Sequence, residues 1–169
     1  MMEEVLLADL VVELPNAVRL QRLVHTLRER FRCGAVGLLR LEDDALRPVA
    51  ASGLAHEALG RRFVVGQHPR LAAILAQRSP TWFEPDSRLP DPYDGLLDSR
   101  LGEPLPVHDC MGTSLHIEGQ PWGVLTLDAL EVGTFDAEAQ SDLRDMIVLV
   151  EAALRVTRLE AETRALRVA

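Results

Sequence analysis

Aromatic residues are scarce in this sequence. They make up 4% of it, two Trp, one Tyr and four Phe in 169 positions, so a core must be assembled from Leu, Val, Ala and Ile. Cysteine is scarcer still, with only Cys33 and Cys110, too few for a disulfide framework in a chain this long. No basic run exceeds the pair Arg61 and Arg62, and the formal net charge is −8. The segment thus offers no positive face to phosphates, which argues against direct nucleic-acid binding. No apolar run approaches a membrane span, and the start, Met1-Met2-Glu3-Glu4, is acidic where a signal peptide is basic. The expectation is a cytoplasmic domain with neither membrane nor nucleic acid as a direct partner. The remainder is ordinary globular composition, 47% hydrophobic and 26% charged, in a length that allows one well-filled core.

Periodicity divides the chain. A short helix is predicted over Glu3 to Glu13. Leu20, Leu23, Val24, Leu27 and Phe31 recur at helical spacing behind Pro15. Cys33 to Leu41 reads as a buried strand and Leu46 to Ala51 as its hairpin partner across Glu42-Asp43-Asp44. Pro69 to Ala76 reads as a helix with proline in its first turn, and Thr81 to Phe83 as a short strand. Two more strands, Met111 to Ile117 and Trp122 to Asp128, flank the turn Glu118-Gly119-Gln120-Pro121. A long helix runs from Asp136 towards Arg167. This order predicts an α+β fold, an antiparallel sheet with helices packed on it. Leu143, Ile147, Val150, Leu154, Thr157 and Ala161 alternate spacings of four and three, the seam of a coiled coil. Core packing followed by a helical connector is expected, and a homodimer through this helix is allowed.

The stretch from Glu84 to Pro106 is long for a loop inside a compact domain, and such loops are usually functional or disordered. It carries Pro90-Asp91-Pro92-Tyr93-Asp94-Gly95, and His108-Asp109-Cys110 opens the next strand. The strand after that ends on Asp128. On extended backbone His108 and Cys110 share a side, and Asp91 and Asp94, three apart in a proline-set turn, can face one point. Carboxylates with one imidazole suit a divalent metal that prefers oxygen, and iron(II) fits. Zinc prefers a richer Cys/His set. The competing reading is a polar loop over an ordinary pocket, because loop aspartates also form turns and cap helices. Arg70 sits in the first turn of a predicted helix, where the macrodipole disfavours a cation, which points to a carboxylate partner nearby.

Several strings carry a resemblance. Gly53-Leu54-Ala55, Leu59-Gly60-Arg61-Arg62-Phe63, Gly66-Gln67-His68-Pro69-Arg70-Leu71, Leu89-Pro90-Asp91-Pro92-Tyr93-Asp94-Gly95-Leu96, Val107-His108-Asp109-Cys110 and Gly123-Val124-Leu125-Thr126-Leu127-Asp128 resemble the sensory domain of the anaerobic nitric oxide reductase transcription regulators, the NorR family. The likeness covers nearly the whole chain. It implies a GAF fold over residues 1–154, with 155–169 as a connector to a following domain. It also implies a mononuclear non-haem iron(II) centre that binds nitric oxide and thereby relieves inhibition of an AAA+ ATPase domain. The residues it implies for that centre are Arg70, Asp94, His108, Cys110 and Asp128, with Asp91 in support. A guanidinium stays protonated and has no lone pair to offer, so Arg70 is expected to hydrogen-bond a ligating carboxylate instead. Cys110 stands open between a thiolate ligand and a buried neutral thiol.

Other functions fit these residues less well. A GAF module for an organic ligand such as a cyclic nucleotide would need donors facing a phosphate, which the carboxylates would repel. A methionine sulfoxide reductase of GAF type would need a nucleophilic cysteine with a resolving partner, and Cys33 falls in a predicted core strand far from the loop. A dimerisation module with no ligand would leave the acidic loop unexplained. A regulatory domain rather than an enzyme is therefore expected.

Overall fold

The structure, a computed structural model, describes residues 2–103 and 109–168. Helix α1 covers Met2–Leu10 and α2 covers Asn16–Phe31. The strands β1 (Ala35–Glu42) and β2 (Ala45–Ser52) form a hairpin. A two-residue strand β3 (Phe63–Val64) precedes helix α3 (Pro69–Ala76) and strand β4 (Thr81–Phe83). The second hairpin is β5 (Cys110–Ile117) with β6 (Gln120–Asp128), and helix α4 (Ala137–Val168) ends the description. One antiparallel sheet runs in the order β3-β2-β1-β6-β5-β4. The expected α+β plan is found. Strand β3 and three single-turn 3-10 helices were not foreseen.

The alternation of β1, β5 and β6 gives each face of the sheet its own core. Val36 and Leu38 of β1, Met111 and Leu115 of β5, and Leu125 and Leu127 of β6 face α1, α2 and α4. Val24, Leu27 and Leu143 meet them with no exposed surface, and each such side chain contributes about 1.5–3 kcal/mol by burial. On the other face lie Leu39, Val124 and Cys110, covered by Leu71 and Ile74 of α3 together with Phe63, Phe83 and Tyr93. Aliphatic packing dominates the first core. Phe63, Phe83 and Tyr93 lie in the second, where the loop after β4 folds back over the sheet.

Helix α4 is continuous past residue 154. Leu143, Met146, Val150, Ala153, Leu154 and Thr157 are its buried positions, so most of the seam read from the sequence is spent on the core. Beyond that stretch the helix stays docked. Buried Arg19 donates to Glu160 and to the carbonyls of Asp9 and Val12. Arg164 donates to the Leu14 carbonyl at 2.6 Å and to Asn16 at 3.0 Å. These bonds cap the link between α1 and α2 with groups from the far end of α4. Among the described residues no helix is long and apolar enough to cross a membrane.

Candidate metal centre

Cys110 and Asp128 are direct partners in the β5–β6 ladder. Opposed residues of antiparallel strands project to the same face, so register alone brings a thiol and a carboxylate together there. The loop supplies the third group. Asp91 accepts a hydrogen bond from the Tyr93 N–H at 2.8 Å, the aspartate turn expected of Asp-Pro-Tyr. The loop is pinned where it passes β2, by Ala55 N–H to Leu96 O at 2.6 Å and Asp98 N–H to Gly53 O at 2.9 Å. The outcome is a buried trio, Asp91, Cys110 and Asp128, whose ligand atoms all lie within 4.8 Å of one another.

Arg70 stands over this trio with no exposed surface. Its guanidinium lies 3.5 Å from the Asp91 carboxylate, donates to the Leu89 carbonyl at 3.0 Å, and covers the Phe83 ring at 5.0 Å. The carboxylate partner inferred from its place in the first turn of α3 is therefore Asp91. One cation faces two carboxylates and a thiol. Burial, then the charge of Asp91, raises the Asp128 pKa well above the usual carboxylate value, and Arg70 offsets only part of the rise. Burial, then Asp128 and Asp91, likewise raises the Cys110 thiol, so without a metal it is protonated at neutral pH. One oxygen of Asp91 and one of Asp128 are buried without a hydrogen bond among the described residues. An incompletely satisfied buried carboxylate is costly, and a divalent cation is the group that would satisfy both. Two carboxylates and a thiol can together hold a metal cation.

The remaining candidates are placed differently. Asp94 is exposed on the loop and outside the trio, yet near enough for its charge to raise the Asp128 pKa. His108 lies outside the described residues. Cys33, expected in a core strand, precedes β1, where it is buried among apolar side chains of the opposite face and its thiol is pushed up to about 12 by burial. His68 precedes α3 without a side-chain capping hydrogen bond and packs edge-on against Phe63. His25 pairs with Glu29 on the surface of α2.

Four residues around the trio, Tyr93, Thr126, Gly37 and Asp109, were given no role in the sequence reading. Tyr93, 1% exposed, shares a 2.9 Å hydrogen bond with Thr126. Gly37 of β1 makes the room, since a Cβ there would fall 2.9 Å from both of those oxygens. Asp109, buried, accepts from the Trp82 indole at 2.6 Å, and its carbonyl accepts from the Ala129 N–H at 2.9 Å. The period of two that links Thr126 to Asp128 could have found Thr126. Nothing in the sequence marks Gly37 or Asp109.

Comparisons with known proteins bear on the fold and the family. A family model described as the GAF domain matches residues 17–154. Nitric oxide reductase transcription regulator NorR2 of Cupriavidus necator is 71% identical over 164 residues, 97% of this chain and 32% of that protein. Regulatory protein LuxO of Vibrio cholerae is 43% identical over 143 residues, 84% of this chain and 27% of that protein. The chain thus spans about a third of the length of the curated relatives it matches. Among solved structures, the GAF domain from a phosphoenolpyruvate-protein phosphotransferase of Coxiella burnetii gives a TM-score of 0.71 at 18% identity, covering 99% of this chain and 95% of that one. That likeness carries the fold alone. Fold, family model and near-complete sequence match converge: the chain belongs to the GAF domain family, in the group carried by nitric oxide reductase transcription regulators.

Proposed function

We propose that this domain senses nitric oxide at a mononuclear non-haem iron(II) centre and regulates an AAA+ domain of the same polypeptide. The observation that carries the reading is the buried trio Asp91, Cys110 and Asp128 beneath a single buried arginine. Its support is the high identity to a regulator named for nitric oxide reductase transcription. In this reading Asp91 and Asp128 hold the metal through their unbonded oxygens, and Cys110 joins them as thiolate once its proton is displaced. Asp94 and His108 complete the set, as the family resemblance implies. When bound, iron(II) supplies open coordination positions for a diatomic ligand. Arg70 holds Asp91 in position and offsets the residual negative charge.

A sensor must convert binding into a free-energy difference between two protein states. Asp91 is the ligand suited to that role. It belongs to the loop, whereas Cys110 and Asp128 are fixed by the ladder. Displacement of Asp91 would free Arg70 and the loop together and leave the sheet intact. The reading is of a regulatory domain, in keeping with a relative named as a transcription regulator.

The test is anaerobic reconstitution. About one iron per chain is expected by the donor-type argument, with a paramagnetic signature on addition of nitric oxide. Asp128→Ala and His108→Ala should abolish both. Stoichiometric zinc that iron cannot displace would overturn the reading.

A further inference from the structure

Asp109 lies in sequence between His108 and Cys110 yet takes no place in the trio. Its carbonyl accepts from the Ala129 N–H, which carries the β5–β6 ladder one rung beyond Cys110 and Asp128. Successive residues on extended backbone point to opposite faces. Cys110 therefore faces the second core and the loop, whereas Asp109 faces the helices, with Met111, Ala129 and Phe135 of the first core. Trp82 pairs with Met111 across β4 and β5 and shares that face, from which its indole reaches Asp109 at 2.6 Å. The other carboxylate oxygen is buried without a hydrogen bond among the described residues. Burial raises the Asp109 pKa, and the Trp82 indole, the Phe135 and Gly133 N–H groups and the charge of Arg70 offset part of the rise. A buried carboxylate so incompletely paired is costly, and packing alone does not account for it.

Gly133 and Phe135 belong to the link that joins β6 to α4. The link ends on Asp136, whose carboxylate accepts from the Ala139 N–H at 2.9 Å and so caps the helix. Gln140 reaches back to the Phe135 carbonyl at 3.2 Å. The position of this link therefore sets where α4 begins. The Asp109 carboxylate meets three segments at once. These are β4, from which the loop bearing Asp91 departs, the entry to β5, which carries Cys110, and the link that starts α4.

We propose that Asp109 is a positioning residue that ties the metal site to the start of α4. When Cys110 or the loop shifts on one face of the sheet, Asp109 on the other face shifts the link and the first turn of the helix. Coupling of this kind needs an element that both ends bias, and the link is that element. The inference rests on the iron reading for the event that moves Cys110. Asp128 also runs into the link through Ala129, and the experiment separates the two routes.

The first measurement uses the metal-free chain and Asp109→Asn. An asparagine oxygen can serve the Trp82 indole, but its amide N–H then opposes the N–H groups of the link. Hydrogen exchange at Gly133, Phe135 and the first turn of α4 should quicken by about tenfold or more, as for lost bonds to a charged group. Alkylation of Cys110 should quicken too, while Cys33, buried in the first core, stays protected and shows that the domain is folded. Trp82→Phe, a milder change that removes one donor from the carboxylate, should move both ends in the same direction, and it decides the matter if Asp109→Asn exposes Cys33. A change at one end alone, or at neither, overturns the proposal. The second measurement adds iron(II) anaerobically and then nitric oxide. Exchange over residues 129–140 should respond to nitric oxide in the wild type and not in Asp109→Asn, with iron content and nitrosyl signal kept in both. A response that survives Asp109→Asn assigns the coupling to the Asp128–Ala129 backbone and overturns the proposal. So does a loaded wild type whose link ignores nitric oxide, or a variant that loses its iron. A wild type that takes up no iron refutes the iron reading instead, and the metal-free measurement then decides this inference by itself.

Discussion

Asp128→Asn should act in opposite directions on stability and on metal binding. In the metal-free domain Asp128 shares a dry site with Asp91 and Cys110, and among the described residues only Arg70 opposes them. One of its oxygens is buried without a hydrogen bond among the described residues. Burial first, and Asp91 second, raise its pKa well above 3.8. The folded state then holds this proton more tightly than the unfolded state does. Its favourable contribution is complete below the unfolded value and is lost as pH rises through the folded one. At neutral pH the site is therefore a destabilising element, and asparagine removes the charge while keeping the shape. Relief of one incompletely paired buried charge is worth about 1–3 kcal/mol. A domain of this size gains about 2–4 °C per kcal/mol, so Tm of the metal-free protein should rise by about 2–12 °C. The gain should shrink as pH falls below 3.8, where aspartate becomes neutral in both states. Iron affinity should fall at the same time, by more than the 10–100-fold typical of residues that only support ligands. Calorimetry of wild type and variant across pH, each with and without anaerobic iron, reads both effects. A variant less stable than wild type without metal, or one that binds iron normally, would refute the reasoning.

Arg70→Met removes the only cation facing the trio among the described residues and should cost about 3–5 kcal/mol in the metal-free domain, measured by urea unfolding; Arg70→Lys keeps the charge and should keep iron, whereas Arg70→Ala should bind it more weakly. Gly37→Ala drives a methyl to within 2.9 Å of the Tyr93 and Thr126 oxygens and should cost about 1–3 kcal/mol by overpacking, read as a lowered Tm with shifted tyrosine absorption. Both thiols of the metal-free protein should resist alkylation near about pH 8 until urea is added, since burial raises Cys33 to about 12 and Cys110 higher than its ordinary value. Arg32 closes α2 in the left-handed region at φ 51°, so Arg32→Gly should stabilise by about 1 kcal/mol, seen as a higher midpoint in denaturant.

Strong periodicity made most of the fold legible. The α2 repeat, both hairpins and α4 were each defined by residues that face one core, and the predicted and observed limits differ by a residue or two. The two-residue β3 was not legible, because its pairing to Ala45 and Leu46 is a tertiary contact that no local pattern records. At the site, Arg70 in a first turn pointed correctly to a carboxylate. Spacing alone suggested that Asp91 and Asp94 would face one point, yet only Asp91 turns inward, because its side chain closes the turn onto Tyr93 N–H. The α4 periodicity was legible as a helix, and most of the seam read along it packs on the core.

The ladder pairing of Cys110 with Asp128 separates two kinds of part in the same site. Two jaws belong to adjacent strands at the middle of a six-stranded sheet, and their bite is set by backbone hydrogen bonds that no side-chain substitution easily alters. The third jaw hangs on a connection of more than twenty residues between β4 and β5. Such a connection tolerates insertion and deletion, so a lineage can lengthen it, shorten it or exchange its ligand without disturbing the other two. The response of the domain can thus be retuned by evolution in one segment while its architecture stays constant, and an engineer seeking a different metal or a different trigger would begin between Glu84 and Asp109.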